Sequence, residues 1–417
     1  GNMLKIVGTH NFSCAGPHIG PVLSPPRRRF GRGHRKPSPA PPSSFLTVPP
    51  HSCNPFGTDP GKKTTVQDSE MKKWLFRIVK GVAILVVLAL LGTVYVRVQG
   101  VQYTLALARN SWGKARFDSS AITPEKNCAG ATPCTSGPIR VLTYNVLCRI
   151  CTEGNAEHYK LGYERWYDRL PHIMAVIKEY KPDLLGLQEV GGWQDINELN
   201  PDPEVYAPLA HEFGPWVYGD AVLFYRKDRF DALNSGQFWY GPTPDIPFAF
   251  EWRRLAVPRY LNWVHLRQKD NGFEFLYMNT HFDNAGINKD PTALLVNKAF
   301  GPHAKRLPII FTGDFNTNRT ENPRYHNIMY GDGTEQVFSD AMDTAANPEQ
   351  LPPLGNFDNR DDRPASLDSV IDHIFLAGPG KNVVERWVID SRRYGENQDK
   401  SQADHPAVFA VVNLAAR

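Results

Sequence analysis

From residue 139 onward the chain runs in short apolar stretches with polar punctuation. Ile139-Arg140-Val141-Leu142-Thr143-Tyr144-Asn145-Val146 alternates as a strand does, and Asp183 to Val190 is an apolar run closing on Gln188-Glu189. Residues 221–225, 273–279, 307–311, 370–376 and 407–412 read as further strands. Ile173, Val176, Ile177 and Tyr180 recur at helical spacing, with Pro171 near the start and Lys181-Pro182 as the stop. Further helices are predicted near 203–212, 291–300 and 323–330. No internal repeat is visible. Strands mixed with a few helices over about 280 residues predict one large α/β or α+β domain.

The upstream pattern is different. Gly81 to Val96 carries no charge and is apolar on every face, with Lys72, Lys73, Arg77 and Lys80 before it and Arg97 after it. Adding Ile78, Val79 and Val98 gives a short membrane span. No small-x-small cleavage site follows directly, so an uncleaved signal anchor over 71–98 is expected; a cleaved signal would give a secreted protein. The basic flank puts the N-terminal side in the cytoplasm and the rest on the periplasmic or extracellular side. Residues 1–70 are rich in Pro, Ser and Arg and read as a disordered tail, while Met71-Lys72-Lys73 has the form of a translated start. Residues 99–138 read as a stalk, and 139–417 as the globular body.

Charge sharpens this division. The formal net charge is +4, yet residues 1–70 hold nine Lys/Arg against three Asp/Glu, and from residue 98 onward 33 basic residues face 40 acidic ones. An acidic body argues against broad, sequence-blind nucleic-acid binding. Hydrophobic residues make up 41% of the chain, enough for a sizeable core. Four of the six cysteines lie beyond the apolar segment, where oxidation is expected. Cys128/Cys134 and Cys148/Cys151 are the simplest pairs among three connectivities. Cys148-Arg149-Ile150-Cys151 also fits a redox or zinc pair, but without a thioredoxin-like unit or a second such pair a structural disulfide is the preferred reading.

The stretch with most chemistry is Leu307 to Asn316, a buried strand ending in Gly313-Asp314-Phe315-Asn316. Gly313 lets the chain turn, and Asp314 and Asn316, two apart, share a side if the chain stays extended. A carboxylate and an amide so placed suit phosphate chemistry: one binds a hard cation or orients water, the other donates to a phosphoryl oxygen. Comparable endings recur at Asn145, Gln188-Glu189, Asn279-Thr280-His281-Phe282-Asp283, Ile371-Asp372-His373 and Ala403-Asp404-His405-Pro406. Singly, each fits a turn residue, a helix cap or a surface charge. Together they make one consistent site.

This order and spacing resembles the endonuclease/exonuclease/phosphatase superfamily, the deoxyribonuclease-I-like fold, over roughly residues 139–414; Phe224-Tyr225-Arg226-Lys227-Asp228-Arg229-Phe230 looks like its secreted bacterial members. The resemblance implies an α/β four-layer sandwich of two face-packed mixed β-sheets with outer helices, here preceded by a single N-terminal transmembrane or signal-anchor helix. It implies Mg²⁺, with Mn²⁺ as an alternative, held by Glu189 with Asn145 and Asp404. Asp314 and Asn316 would orient the attacking water and the phosphate, His405 would be the general base with Asp372 fixing its tautomer, and His281 would donate to a phosphoryl oxygen. Arg259 is expected among the substrate-binding residues with Asn316 and His281, and Trp263 near the site without a role. Three departures stand out: Leu147 where some nucleases carry an acidic residue, Asp220 as a shorter substitute for a Glu that pairs with the first catalytic His, and no Arg between Asn284 and Phe300.

The expected function is therefore a metal-dependent phosphodiesterase or endonuclease-like hydrolase. A phospholipid or small-molecule phosphatase of the same fold is the alternative, and a non-catalytic membrane-anchored binding module is the alternative of another class. Substrates would be phosphodiesters or phosphomonoesters, in nucleic acid or phospholipid. The membrane is met through the N-terminal helix, and no protein partner is inferable.

Overall fold

The computed structural model describes residues 63–99, 117–120, 134–213, 216–241, 244, 259–353 and 364–416. Helix α1 (Lys63–Gln99) contains the apolar segment, and its 24-residue stretch Glu70–Thr93, mean hydropathy 2.3, is long and apolar enough to cross a membrane. The proposed tail before residue 63, Cys128 and most of the proposed stalk lie outside the described residues.

Among the described residues the body is built from thirteen strands in two sheets. One sheet has the order β10-β12-β13-β1-β2-β4-β3, with β1 (Thr135–Asn145), β2 (Leu184–Val190), β3 (Tyr206–Phe213), β4 (Trp216–Arg226), β10 (Glu349–Leu351), β12 (Val383–Asp390) and β13 (Ala407–Ala415). The other has the order β5-β6-β7-β8-β11-β9, with β5 (Phe230–Trp239), β6 (Tyr260–Gln268), β7 (Glu274–His281), β8 (Ile309–Asp314), β9 (Ser339–Asp340) and β11 (Asp372–Ala377). Both sheets are mixed: β1 runs parallel to β2, and β7 parallel to β8, among antiparallel neighbours.

Strand alternation sorts the side chains into layers. Ile139, Val141 and Leu184 pack against Tyr277, Ile310, Ile374 and Leu376 in the core between the sheets. The opposite phase of the first sheet, Leu142, Tyr144, Leu185 and Leu187, meets Trp166, Ile173 and Ile177 of helix α4 (Trp166–Tyr180), which follows the short helices α2 (Arg149–Thr152) and α3 (Glu157–Lys160). Helix α5 (Trp193–Leu199) joins the same layer through Ile196 and Leu199. The opposite phase of the second sheet, Leu276, Met278, Ile309, Phe311 and Phe375, meets Val296 and Phe300 of α6 (Gly286–Ala304) and Ile328 of α7 (Arg324–Tyr330). The expected four layers are thus present: helix, sheet, sheet, helix. Helix α8 (Ala341–Thr344) follows β9.

Two expectations are corrected. Residues 203–212 form no helix; they supply β3, the edge of its sheet. Val205, Tyr206, Leu209 and Ala210 mimic helical spacing, but Pro208 has no N–H for a helix interior, and an edge strand tolerates it. Trp263 is fully buried under the outer helical layer, packed edge-on against Phe117, and belongs to the core.

Near one end of the inter-sheet layer the core becomes polar. Asn279 donates from Nδ2 to the carbonyls of Leu187 (3.1 Å) and Val222 (2.8 Å) on the opposite sheet. Its Oδ1 accepts from Gln188 Nε2 (2.7 Å) and from Thr312 Oγ1 (3.0 Å), and Gln188 also donates to Thr143 Oγ1 (3.1 Å). All four side chains are buried. The sheets approach so closely here that a Cβ on Gly186 would collide with Asn279 and Thr312. Replacing Asn279 by Leu leaves the Leu187 and Val222 carbonyls and the Gln188 amide without this partner. We expect a loss on the order of 3 kcal/mol of unfolding free energy, read from urea denaturation; a loss below about 1 kcal/mol would show that the tier does not join the sheets.

Candidate active site

Above that polar tier, the inward phase of four neighbouring strands ends in charge and amide. Asn145 continues the phase of Val141 and Thr143, His281 that of Tyr277 and Asn279, Asp314 that of Ile310 and Thr312, and Asp372 that of Ile374. Sheet pairing sets their neighbourhood directly. His281 is the register partner of Asp314 across β7/β8, and Asp372 is the partner of Asp314 across β8/β11.

Glu189 reaches the same place by a backbone device. By alternation it shares the phase of Leu185 and Leu187, which face α4. Its φ is +62°, and the β2/β4 register shifts between Gln188 and Val190, so the bulge turns the carboxylate out of the helical layer. Oε2 accepts from the Cys148 N–H (3.0 Å) and Oε1 from Asn145 Nδ2 (3.3 Å). Asn145 Nδ2 also donates to Asp314 Oδ2 (3.1 Å), while its Oδ1 accepts from the Leu147 N–H (3.1 Å). In this arrangement Asn145 presents N–H to two carboxylates and spends its oxygen on the main chain.

The two histidines bracket Asp314. His281 Nδ1 is 2.7 Å from Asp220 Oδ1 and Nε2 is 3.3 Å from Asp314 Oδ2. Burial and Arg259 favour the neutral ring, but Asp220 and Asp314 outweigh them and raise His281 above its usual value of 6.5. Burial opposes ionisation of Asp220, yet Arg259, 2.6 Å away, and His281 hold its carboxyl well below the usual range. Asp220 therefore does pair with this histidine, and Arg259 Nη1 stands against both, 2.6 Å from Asp220 Oδ2 and 2.8 Å from His281 Nδ1. On the other side His405 Nδ1 lies 2.7 Å from Asp372 Oδ2, and its Nε2 faces Asp314 Oδ2 at 3.7 Å. Burial would lower His405, but Asp372 and Asp314 raise it well above 6.5.

Ligand atoms of Asp314, Asp372 and His405 lie within 4.8 Å of one another, a group that could hold a metal. Asp404 stands beside them with Oδ2 3.5 Å from His158 Nε2. Donating to Asp404 raises His158, and although burial works the other way on Asp404, His158 and His405 keep its carboxyl low. Among the described residues, Asp372 Oδ1 and Asp404 Oδ1 are buried with no hydrogen-bond partner.

Two details differ from the sequence expectation. Gly313 makes no turn; it lies inside β8, where a Cβ would strike the Thr280 carbonyl. The turn falls at Asn316, φ +47°, so Asn316 does not share a strand face with Asp314. Its N–H donates to Asp314 Oδ1 (2.8 Å) and its Nδ2 to the Phe282 carbonyl (3.0 Å). Cys148 and Cys151 form the expected local disulfide, and Cys134 is also disulfide-bonded.

Three buried cations hold the loops around the site; sequence reasoning passed over Arg169 and Lys289 and named His373 only within its strand ending. Arg169 donates to the carbonyls of Val146 (2.9 Å), Leu147 (2.9 Å), Gln402 (2.6 Å) and Glu164 (2.9 Å), tying the exit of β1 to the loop before Asp404. It sits between Trp166 and Ile173 on the buried stripe of α4, and a charge on that stripe was the available signal. Lys289 donates to the Asn316 carbonyl. His373 faces the helical layer, with Nδ1 2.7 Å from Asp340 Oδ2 and Nε2 3.0 Å from the Thr317 carbonyl, so both nitrogens donate.

The chain belongs to the endonuclease/exonuclease/phosphatase family, whose model matches residues 142–394. It is 27% identical over 234 residues to human nocturnin, covering 51% of this chain and 49% of nocturnin, so it spans about half the length of the curated relatives it matches. Its fold is similar to that of an endonuclease/exonuclease/phosphatase family protein from Bacteroides thetaiotaomicron (26% identity, TM-score 0.54, covering 66% of this chain and 98% of that one). It is also similar to a mannosyl-6-phosphatase from the same organism (26% identity, TM-score 0.52, covering 66% and 99%).

His373 gives a pH test of the loop supports. Burial would lower it, but Asp340 and the Thr317 carbonyl raise it above 6.5. A raised folded value contributes stability that is complete below about pH 6.5 and is lost as pH rises through that value. His281 and His405 act in the same sense, so the difference between wild type and His373→Gln is the quantity to read. In chelator, wild-type stability should fall more steeply from pH 6.5 upward than that of the variant; equal slopes would mean His373 is neutral in the folded chain.

Proposed function

We propose that this chain is a divalent-cation-dependent phosphoester hydrolase, with Mg²⁺ as the ion and Mn²⁺ as a substitute. One observation carries the reading: Asp314, Asp372 and His405 converge within 4.8 Å at strand ends whose inward phase also brings in Asn145 and His281. The donors fit a hard cation, since carboxylates dominate and two buried carboxylate oxygens lack partners among the described residues. Glu189 and Asp404 would hold the ion, with Asn145 keeping Glu189 and Asp314 at a fixed separation. When bound, the cation neutralises charge on the phosphoryl group and offsets the carboxylates that keep a proton on His405.

The chain's own residues divide the remaining work. Asp372 holds His405 Nδ1–H, which leaves Nε2 facing Asp314 to take a proton from the attacking water. Asp314 orients that water, itself fixed by Asn145 and the Asn316 N–H. His281, whose affinity for a proton is raised by Asp220 and Asp314, donates to a phosphoryl oxygen as charge builds there. Arg259 bears on His281 both directly and through Asp220.

For the substrate, the excess of acidic residues from residue 98 onward favours a compact phosphoester over a long polyanion. The similarity to a mannosyl-6-phosphatase makes a sugar phosphate one concrete class. Nuclease and phospholipid esterase activities are the competing readings on the same site. α1 would act as a single-pass anchor whose basic flank stays cytoplasmic, leaving the catalytic body, which takes in β1 from Thr135 and Phe117 against Trp263, on the other side.

The test is a panel of sugar phosphates, single-stranded DNA, RNA and a sphingomyelin-like lipid, with the full chain in detergent. Wild type with Mg²⁺ should turn over at least one class, chelation should stop it, and Asp314→Asn or His405→Gln should lower kcat by about 10²–10⁴-fold. Wild type no faster than both variants on every ester would leave a binding module instead of an enzyme.

A further inference from the structure

Cys148 and Cys151 bridge at the margin of the site, against Glu189. The Cys148 N–H donates to Glu189 Oε2, and Cys151 Sγ lies 3.9 Å from the same oxygen. Both sulfurs and the carboxylate fall within 4.8 Å of one another. The segment is fastened on both sides of the bridge. Arg149 ion-pairs with Asp195 (2.7 Å) and Glu198, and Arg169 donates to the Leu147 carbonyl and to Thr152 Oγ1 (3.2 Å). None of these anchors depends on the S–S bond. Ile150, between the cysteines, is 80% exposed, so the bridge lies within reach of a reductant. As a staple it closes so short a loop that it restricts the unfolded chain less than a longer bridge would.

We infer that reduction of Cys148–Cys151 turns this corner into a zinc site made of two thiolates and Glu189, which withdraws Glu189 from the hydrolytic set. Disulfide sulfurs are not ligands, so the oxidised corner offers only carboxylate oxygen, which suits Mg²⁺. Reduction exposes a Cys-x-x-Cys pair, the spacing Zn²⁺ takes, with Glu189 as third ligand and water as the fourth. With a phosphine, the S–S bond breaks as phosphorus gives up two electrons. One water supplies oxygen to the phosphine oxide and its two protons to the two sulfurs. Zn²⁺ then displaces both thiol protons.

The assay is metal binding by the full chain in detergent, so it stands apart from any hydrolase activity. After phosphine reduction, Cd²⁺ is titrated as a spectroscopic probe and followed by sulfur-to-cadmium absorption in the ultraviolet. Reduced wild type should bind one more equivalent than reduced C148S/C151S, Zn²⁺ should displace it, and C128S/C134S should keep it. E189Q should weaken that equivalent about tenfold or more. Equal Cd²⁺ binding by reduced wild type and C148S/C151S, the same signal in the oxidised chain, or an affinity unchanged in E189Q would overturn the inference.

Discussion

Asn279 makes the contact on which the charged end of the sandwich depends. Two sheets packed through apolar side chains alone could slide, because that attraction is non-directional. Asn279 crosses the gap and pairs all of its amide valences, two with main-chain carbonyls of the facing sheet and two with Gln188 and Thr312. Directional bonds in a dry layer fix register, since any shift leaves buried polar groups unmatched. The position of Asp314 relative to Asn145 and Glu189, on opposite sheets, is then inherited from the tier beneath.

That layering also orders the electrostatics. Moving outward between the sheets, side chains pass from apolar to neutral polar to ionised, so charge is concentrated where the sandwich opens. Placing Asp314, Asp372, Asp404 and Glu189 together is costly unless counter-charge is near. Part of that counter-charge is protein: His281 and His405 flank Asp314, and His158 faces Asp404. The rest is what a divalent cation would bring. The imidazoles raised above their usual value therefore report the same surplus of negative charge that makes the corner suited to a metal.

Much of this was legible because alternation is readable in a sequence. Asn145, His281, Asp314 and Asp372 follow apolar runs in the inward phase, and their convergence needs only the right strand order. Glu189 was named from its strand ending, but alternation alone would send it toward α4; a bulge turned it, and bulges depend on strand pairing that one segment does not encode. Asn316 was misplaced for the same reason, since its positive φ breaks the period of two. Residues 203–212 carry an ambiguous pattern that Pro208 resolves once the strand is known to be an edge. Asp220 was suspected from its position in the chain, whereas His158 and Lys289 sit in irregular or helical context with nothing local to mark them.

The site joins two kinds of part, and they are held differently. Strand-end residues are fixed by ladder pairing and by the polar tier. Loop residues have no ladder, and each loop is held instead by a buried cation on main-chain carbonyls: Arg169 on 146, 147 and 402, Lys289 on 316, His373 on 317. A cation paired with a strand-end carboxylate would cancel its charge, whereas a cation on carbonyls supplies strong bonds and leaves those carboxylates free for other partners. Arg169 shows the trade most clearly: burial lowers its own affinity for a proton, while four carbonyls together with Thr152 accept its N–H groups. Scaffold and loops are then held by separate sets of bonds, so a change in one loop need not disturb the strand-end residues.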